Sequence, residues 1–109
     1  MKDYIYIIGN DQGFIKVGVS KHPDKRLKQI QTGNEHKLTL LFTEEFECKR
    51  LQLLRIESAI HKELKKVSTK CTGEWFSVDT ENISKIKNII TFYRIRYEDD
   101  LTAFNKMFH

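Results

Sequence analysis

Two short runs of aromatic and β-branched residues, joined by a cluster of turn-forming residues, constrain the fold of this chain more than any other feature. The runs are residues 4–8 and 14–19, and the turn cluster between them is residues 10–13. Aromatic and β-branched residues favour strands, and Gly13 tolerates the left-handed backbone that a tight turn requires. The pattern predicts an antiparallel β-hairpin at the start of the sequence.

The alternation of side chains along the two strands predicts how the hairpin is paired. The aliphatic residues of both strands should face one core, which predicts that Ile7 lies opposite Ile15. In this register Tyr6 lies directly opposite Lys16, on the other face of the hairpin. Gly18 is two residues beyond Lys16 on that face, where the absence of a side chain permits close approach of another group.

Beyond the hairpin, the pattern predicts three helices, a third strand and a short extended segment. A helix beginning at Pro23 ends near Gly33, and the second helix carries a core stripe at helical spacing. We therefore predict the α+β class, with a small three-stranded antiparallel sheet flanked by helices. The approximate bounds are residues 23–32, 49–66 and 80–93 for the helices, 38–47 for the strand and 74–78 for the extended segment; the stripe is Leu53, Ile56, Ile60 and Leu64.

The length of 109 residues is that of one domain. We assign residues 1–93 to this domain and residues 94–109 to a C-terminal helical extension of it. Apolar residues continue at helical spacing in the extension, so it could pack on the domain or on a second copy of the chain. These residues are Leu101, Phe104 and Phe108.

Composition limits the classes of function. The formal net charge of +4 permits nucleic-acid binding, and five basic residues lie between positions 16 and 28 against one acidic residue, Asp24. No apolar run reaches the roughly 18 residues of a membrane span, and no leader follows Met1, so we expect a cytoplasmic protein without membrane contact. Cys48 and Cys71 are expected to be reduced, without the paired spacing of a zinc site.

Tyr6, Lys16 and Arg26 are the first candidates for chemistry. A lysine in the centre of a strand must reach water or a partner, and a cation beside a phenol stabilises the phenolate. Tyr6 is therefore a candidate general base for activating water, assisted by Lys16. Arg26 is either a solvent-facing helix cation or a donor of two hydrogen bonds to a phosphate.

Glu57 and His61 lie one turn apart on the second predicted helix. A helical wheel places Glu57 about 55° from the centre of the apolar stripe, at the edge of the buried face, where an unpaired carboxylate is costly. It therefore either pairs with Arg26 or binds Mg²⁺. His61 could orient water, contact phosphate or hydrogen-bond the carboxylate.

Weaker candidates surround these residues. The simpler interpretation of Trp75, within Glu74-Trp75-Phe76, is that its ring closes one edge of the core. Glu74 could contact a basic residue of the site. Five further residues are candidate contacts to phosphates or bases of nucleic acid. They are Tyr4, Lys21, His22, Lys25 and Lys28.

The ordered set of motifs resembles the GIY-YIG nuclease superfamily, and most closely the short phage and bacterial subgroup in which Lys replaces the tyrosine of the second motif. The resemblance spans residues 4–78. Tyr6 stands for the tyrosine of the first motif, Lys16 for that of the second, Arg26 for the helix arginine, and Glu57 for the metal-binding glutamate. Tyr4 replaces the glycine of the first motif, and either Asn82 or Asn88 could stand for the late asparagine. The motifs are Tyr4-Ile5-Tyr6-Ile7-Ile8, Lys16-Val17-Gly18-Val19-Ser20, Glu57-x-x-x-His61 and Gly73-Glu74-Trp75-Phe76.

The resemblance implies an endonuclease that uses one Mg²⁺ or Mn²⁺ ion, with DNA as the expected substrate, in the host cytoplasm if the chain is of phage origin. The alternative is a catalytically silent module of the same fold that binds nucleic acid or a host protein. A separate DNA-binding domain, usual in the superfamily, is not part of this sequence. Dimerisation through the C-terminal extension, a protein partner or loose specificity would compensate for the lack of such a domain.

Overall fold

A computed structural model describes residues 2–107 of the chain, and the side chains of residues 2–96. The strands and helices follow one another in the order predicted, with one additional short strand before the extended segment. The elements are β1 (Asp3–Asn10), β2 (Phe14–Ser20), α1 (Pro23–Thr32), β3 (Leu38–Phe46), α2 (Arg50–Val67), β4 (Lys70–Thr72), β5 (Trp75–Ser77) and α3 (Thr80–Met107).

The strands form one antiparallel sheet in the order β3-β1-β2-β5-β4. The α+β class is confirmed, but the sheet has five strands where three were predicted. The difference is the β4–β5 hairpin, which adds to β2 through the pairs Phe14–Ser77 and Ile15–Phe76. All three residues of β4 are exposed, so β4 has none of the apolar alternation by which a strand is recognised.

Each face of the sheet is covered by helices. Ile5 and Ile7 belong to a large core cluster with the predicted stripe of α2 and the buried residues Ile86 and Ile90 of α3. Tyr6 lies on the opposite face, in a smaller cluster that includes Leu27 and Ile30 of α1, as well as Ile8, Leu38, Leu40 and Trp75. The face assignment from alternation is therefore confirmed, and it places the phenol of Tyr6 on the α1 side.

The predicted register of the first hairpin is wrong by two residues. Ile7 pairs with Val17, and Tyr6 pairs with Gly18 rather than with Lys16. The turn explains the shift, because the side-chain oxygen of Asn10 accepts hydrogen bonds from the backbone N–H groups of both Gln12 and Phe14, at 2.8 and 3.0 Å. These bonds and the left-handed Gly13 (φ 81°) fix a three-residue loop. Tyr6 and Lys16 remain on the same face as diagonal neighbours.

The helix predictions agree well with the structure. Pro23 begins α1, and the carboxylate of Asp79 caps α3 by accepting the backbone N–H of Asn82 at 2.8 Å. Within the described residues, none of the helices is both long and apolar enough to span a bilayer. The packing of the predicted tail stripe, Leu101, Phe104 and Phe108, lies outside the residues whose side chains the structure describes.

Candidate functional site

The candidate site lies along the free edge of β2. Strand β5 pairs only with Phe14 and Ile15, so in the described part of the chain the stretch from Lys16 to Ser20 has a strand neighbour on one side only. His61 Nε2 lies 2.9 Å from the backbone oxygen of Val17 on this edge. A carbonyl oxygen only accepts hydrogen bonds, so Nε2 carries the proton and Nδ1 is the remaining ring nitrogen. His61 thereby fixes α2 against the edge of the sheet.

Tyr6 is 2% exposed, because α1 and the smaller core cluster cover its face of the sheet. The ring lies directly over Gly18. A Cβ atom added to Gly18 would be 2.5 Å from Tyr6 Cζ, and nearer still to the hydroxyl oxygen. The missing side chain of Gly18 therefore accommodates the phenol of Tyr6 and places its hydroxyl over β2.

Lys16 pairs with Glu74. The lysine side chain is 12% exposed and its Nζ donates to Glu74 Oε2. Glu74 occupies the tip of the β4–β5 hairpin, where Gly73 and Glu74 form a two-residue loop between the paired residues Thr72 and Trp75. Gly73 has φ 61° and no non-glycine residue among those described has positive φ, which matches a type II′ turn. The turn therefore presents the carboxylate to the free edge of β2.

The electrostatics of Glu74 join four side chains into one cluster. The hydrogen bond and the positive charge of Lys16 lower the pKa of the Glu74 carboxyl below its ordinary value of 4.5. Partial burial opposes this, while His61 and Arg26 lower the pKa of Glu74 further. Arg26 is exposed on α1, and its guanidinium donates to Gln29 Oε1 at 3.4 Å. Groups from β2, α1 and α2 thus act on one carboxylate.

Glu57 lies on α2 one turn before His61 and is half-buried. Arg50 at the start of α2 bonds Asp3 at 2.5 Å, and His61 bonds Val17, so Glu57 lies between two points where α2 is tied to the sheet. The predicted alternative, an ion pair with Arg26, is not formed. No hydrogen bond or ion pair to the Glu57 carboxylate is found among residues 2–96.

Two depressions carry most of the predicted nucleic-acid contacts. One, of about 370 Å³, is lined by Tyr4, Lys21, His22 and Lys25. The other is a basic groove of about 1200 Å³ between the end of β2, α1 and the start of α2. Lys21 lines both of them. The groove is also lined by Arg26, Lys49 and Arg50, with Asp3 and Glu47 as its acidic residues.

Tyr4 and Lys28 differ from the other predicted contacts. The hydroxyl of Tyr4 donates to Glu45 Oε1 at 3.1 Å. This hydrogen bond and the negative charge of Glu45 raise the pKa of Tyr4 above its ordinary value of 10.0. Lys28 is exposed on α1 and lines neither depression. The basic face therefore centres on the start of α1 rather than on its whole length.

The structure brings together most, but not all, of the predicted site residues. Lys16 pairs with Glu74, and Arg26 and His61 also lower the pKa of that carboxyl. Tyr6 lies on β1, the strand paired with β2. Glu57 belongs to a helix on the face of the sheet opposite to Tyr6, and the two faces meet at the free edge of β2. The sequence suggested a basic partner for Glu74 without identifying it. The Gly-X pair between two strand-forming residues was the available signal for the turn.

Comparison with known proteins identifies the family. Residues 3–91 match the family model of the T5orf172 domain. The chain belongs to the T5orf172 domain family. Searches of curated proteins and of solved structures found no significant match. The T5orf172 match begins at β1 and ends within α3, so it contains every candidate catalytic residue and both depressions.

Proposed function

We propose that this T5orf172 domain is a metal-dependent endonuclease of the GIY-YIG type, which hydrolyses phosphodiester bonds of nucleic acid, with DNA as the expected substrate. The observation that carries the proposal is the ion pair of the largely buried Lys16 with Glu74 at the free edge of β2, where Arg26 and His61 also lower the pKa of the Glu74 carboxyl. An anion at this position is stabilised directly by Lys16. The phosphate of a nucleic acid is an anion of the same kind and would replace Glu74 beside Lys16.

Each side chain then has a chemical role. The guanidinium of Arg26 is exposed and lines the basic groove, so it can donate two hydrogen bonds to a phosphate entering from that side. Tyr6 would take a proton from the attacking water as general base, a role that typically contributes about 10²–10⁴-fold to a rate. Lys16 would stabilise the negative charge on the phenol and on the phosphate.

Glu57 is the candidate protein ligand for a single magnesium or manganese ion. The Glu57 carboxylate is half-buried and has no cation partner in the described part of the chain. Mg²⁺ is commonly held by one or two carboxylates together with phosphate oxygens and water. No group of three His, Cys, Asp or Glu side chains converges among the residues searched. Glu57 would therefore be the ligand from the protein, and a bound ion would stabilise negative charge on the leaving oxygen.

A second function is favoured by two observations. Tyr6 is 2% exposed and Lys16 is already paired with Glu74. A domain that keeps these groups closed would bind nucleic acid or a host protein without cutting it. The two functions differ in whether Glu74 leaves Lys16 when nucleic acid binds.

Nicking of supercoiled plasmid by the purified protein, with Mg²⁺ or Mn²⁺ and with EDTA, tests the proposal. We expect nicking only with the metal, and a loss of at least about 100-fold in Glu57→Gln and in Arg26→Ala. Glu63→Gln is the matched control, because Glu63 lies on the same helix and pairs with Lys66 at 3.1 Å. Binding without nicking would favour the silent module, and full activity of Glu57→Gln would exclude the metal role.

A further inference from the structure

Two aromatic rings stand beside Lys16 on the α1 side of the sheet. Phe14 precedes Lys16 by two residues on the same strand face, about 6–7 Å along β2. Phe14 pairs with Ser77, so Trp75, two residues before Ser77, is its diagonal neighbour on β5. Diagonal positions on neighbouring strands are about 7–8 Å apart and within reach of aromatic side chains. Trp75 also follows Glu74, the residue that pairs with Lys16.

These rings line a crease of about 350 Å³ that we name the base pocket. Asn10, Asn34 and His36 complete most of its wall. Both rings are half-buried; Trp75 packs against the smaller core cluster, whereas Phe14 belongs to neither described cluster. The crease is at the lower end of the size range of small-molecule sites. Its volume suits one small planar group rather than a large ligand.

The two asparagines are held with their amide donors available. The side-chain oxygen of Asn10 accepts the N–H groups of Gln12 and Phe14, and that of Asn34 accepts the N–H of His36 at 3.0 Å. Backbone N–H groups only donate, so these bonds fix which atom of each amide is the oxygen. Neither NH₂ group is used in the hydrogen bonds found among residues 2–96. The pocket therefore pairs flat apolar walls with hydrogen-bond donors.

We propose that the base pocket binds one unpaired nucleobase, belonging to the nucleotide next to the phosphate that faces Lys16. Aromatic faces stack on any base, and amide donors match base acceptors such as guanine O6 and thymine O4. A base inside a duplex cannot reach such a pocket unless it leaves the stack. The substrate class is therefore single-stranded or locally unpaired nucleic acid. This inference rests on the proposed function, since it takes Lys16 as the phosphate contact.

The amide donors of Asn10 and Asn34, together with the ammonium group of Lys16 two residues from Phe14, favour a nucleotide over an apolar peptide as the occupant. Two residues along β2 correspond roughly to the spacing of successive nucleotides in an extended strand. A strand with one base between Phe14 and Trp75 would therefore carry its neighbouring phosphate to Lys16. Its continuation would lead towards Arg26 and the basic groove. Stacking contributes about 5- to 150-fold in affinity per base when the aromatic partner is removed.

Trp75 is the single tryptophan of the chain, so its fluorescence reports on the pocket directly. We would titrate the protein in EDTA with a single-stranded oligonucleotide, an abasic deoxyribose-phosphate strand of equal length and the corresponding duplex. The single strand should quench Trp75 and bind at least about 5-fold more tightly than the abasic strand, and the duplex should quench weakly. Equal binding and quenching by the abasic strand, or tighter binding with full quenching by the duplex, would overturn the proposal.

Variants separate the pocket from general electrostatics. Asn34→Asp keeps the oxygen that caps the loop but replaces the NH₂ donor, and it should weaken single-strand binding. Gln52→Glu makes the same charge change at an exposed residue of α2 outside the pocket and should bind as the wild type does. Phe14→Thr removes a ring while keeping a strand-forming residue. Unchanged binding by both pocket variants would reject the pocket.

The titration also separates this inference from the nuclease proposal, because it needs neither metal nor cleavage. Quenching by the single strand without plasmid nicking would keep the pocket and favour the silent binding module. Nicking without base-dependent quenching would keep the nuclease and reject the pocket.

Discussion

Replacing Gly18 with alanine tests the contact on which the geometry of Tyr6 depends. The new Cβ atom would lie 2.5 Å from Tyr6 Cζ and 3.0 Å from Cε2, well inside the normal carbon contact distance of about 3.5–4.0 Å. Tyr6 is 2% exposed, so its ring cannot move without disturbing the cluster around it. Overpacking of this kind destabilises by about 1–3 kcal/mol, and the stiffer unfolded chain offsets about 0.4–1 kcal/mol. We expect a net loss of about 1–2 kcal/mol.

Urea unfolding followed by circular dichroism measures this loss, and each kcal/mol should lower Tm by about 4–8 °C. Tyr6→Leu removes the ring atoms that the new methyl group would meet. In that background Gly18→Ala should cost less than half as much, which gives a favourable coupling energy between the two changes. An equal loss of stability in both backgrounds would show that the loss does not arise from the phenol over Gly18.

Two further predictions concern ion pairs. Because Lys16 lowers the pKa of Glu74, the ionised carboxylate contributes stability above its ordinary pKa of 4.5, and this contribution disappears as pH falls through the lower folded value. The Tm of Glu74→Gln should thus be below that of the wild type at neutral pH and equal to it in strong acid, whereas a constant difference would argue against the pairing. Arg50→Ala should lower the free energy of unfolding, measured in urea, by about 1–3 kcal/mol, because it leaves the carboxylate of Asp3, which is 4% exposed, without its partner. Adding Asp3→Asn should recover part of this lost stability.

Periodicity predicted the elements and their faces because burial determines both. The α2 stripe of Leu53, Ile56, Ile60 and Leu64 is 0–5% exposed, as the helical spacing requires. Alternation likewise assigned Ile5 and Ile7 to the larger cluster. Each of these patterns repeats over several residues, so the sequence alone is enough to predict the element and its buried face.

Alternation could not fix the register of the hairpin. A shift of two residues leaves every side chain on the same face, so pairing Ile7 with Ile15 or with Val17 satisfies the pattern equally. The choice is made by the side chain of Asn10, which holds two backbone N–H groups of the turn. Turn chemistry of this kind depends on a single residue rather than on a repeating pattern.

The site was only partly predictable for a related reason. The motifs indicated Lys16 and Arg26, but the contact between Lys16 and Glu74 joins residues 58 positions apart. The contact forms because the β4–β5 hairpin pairs with β2 through two residue pairs. This hairpin was hard to predict, because all three residues of β4 are exposed and show no apolar alternation. The burial of Tyr6 could not be predicted either, because it depends on how α1 packs over the sheet.

The proposed nuclease requires that Glu57, although on a helix of the opposite face, shares one site with the free edge of β2. Paramagnetic broadening of backbone amide signals by Mn²⁺ tests this most directly in the folded protein. Broadening should centre on His61, Val17 and Gly18 and should be lost in Glu57→Gln. Broadening centred on another acidic region, or broadening of these signals that persists in Glu57→Gln, would contradict it.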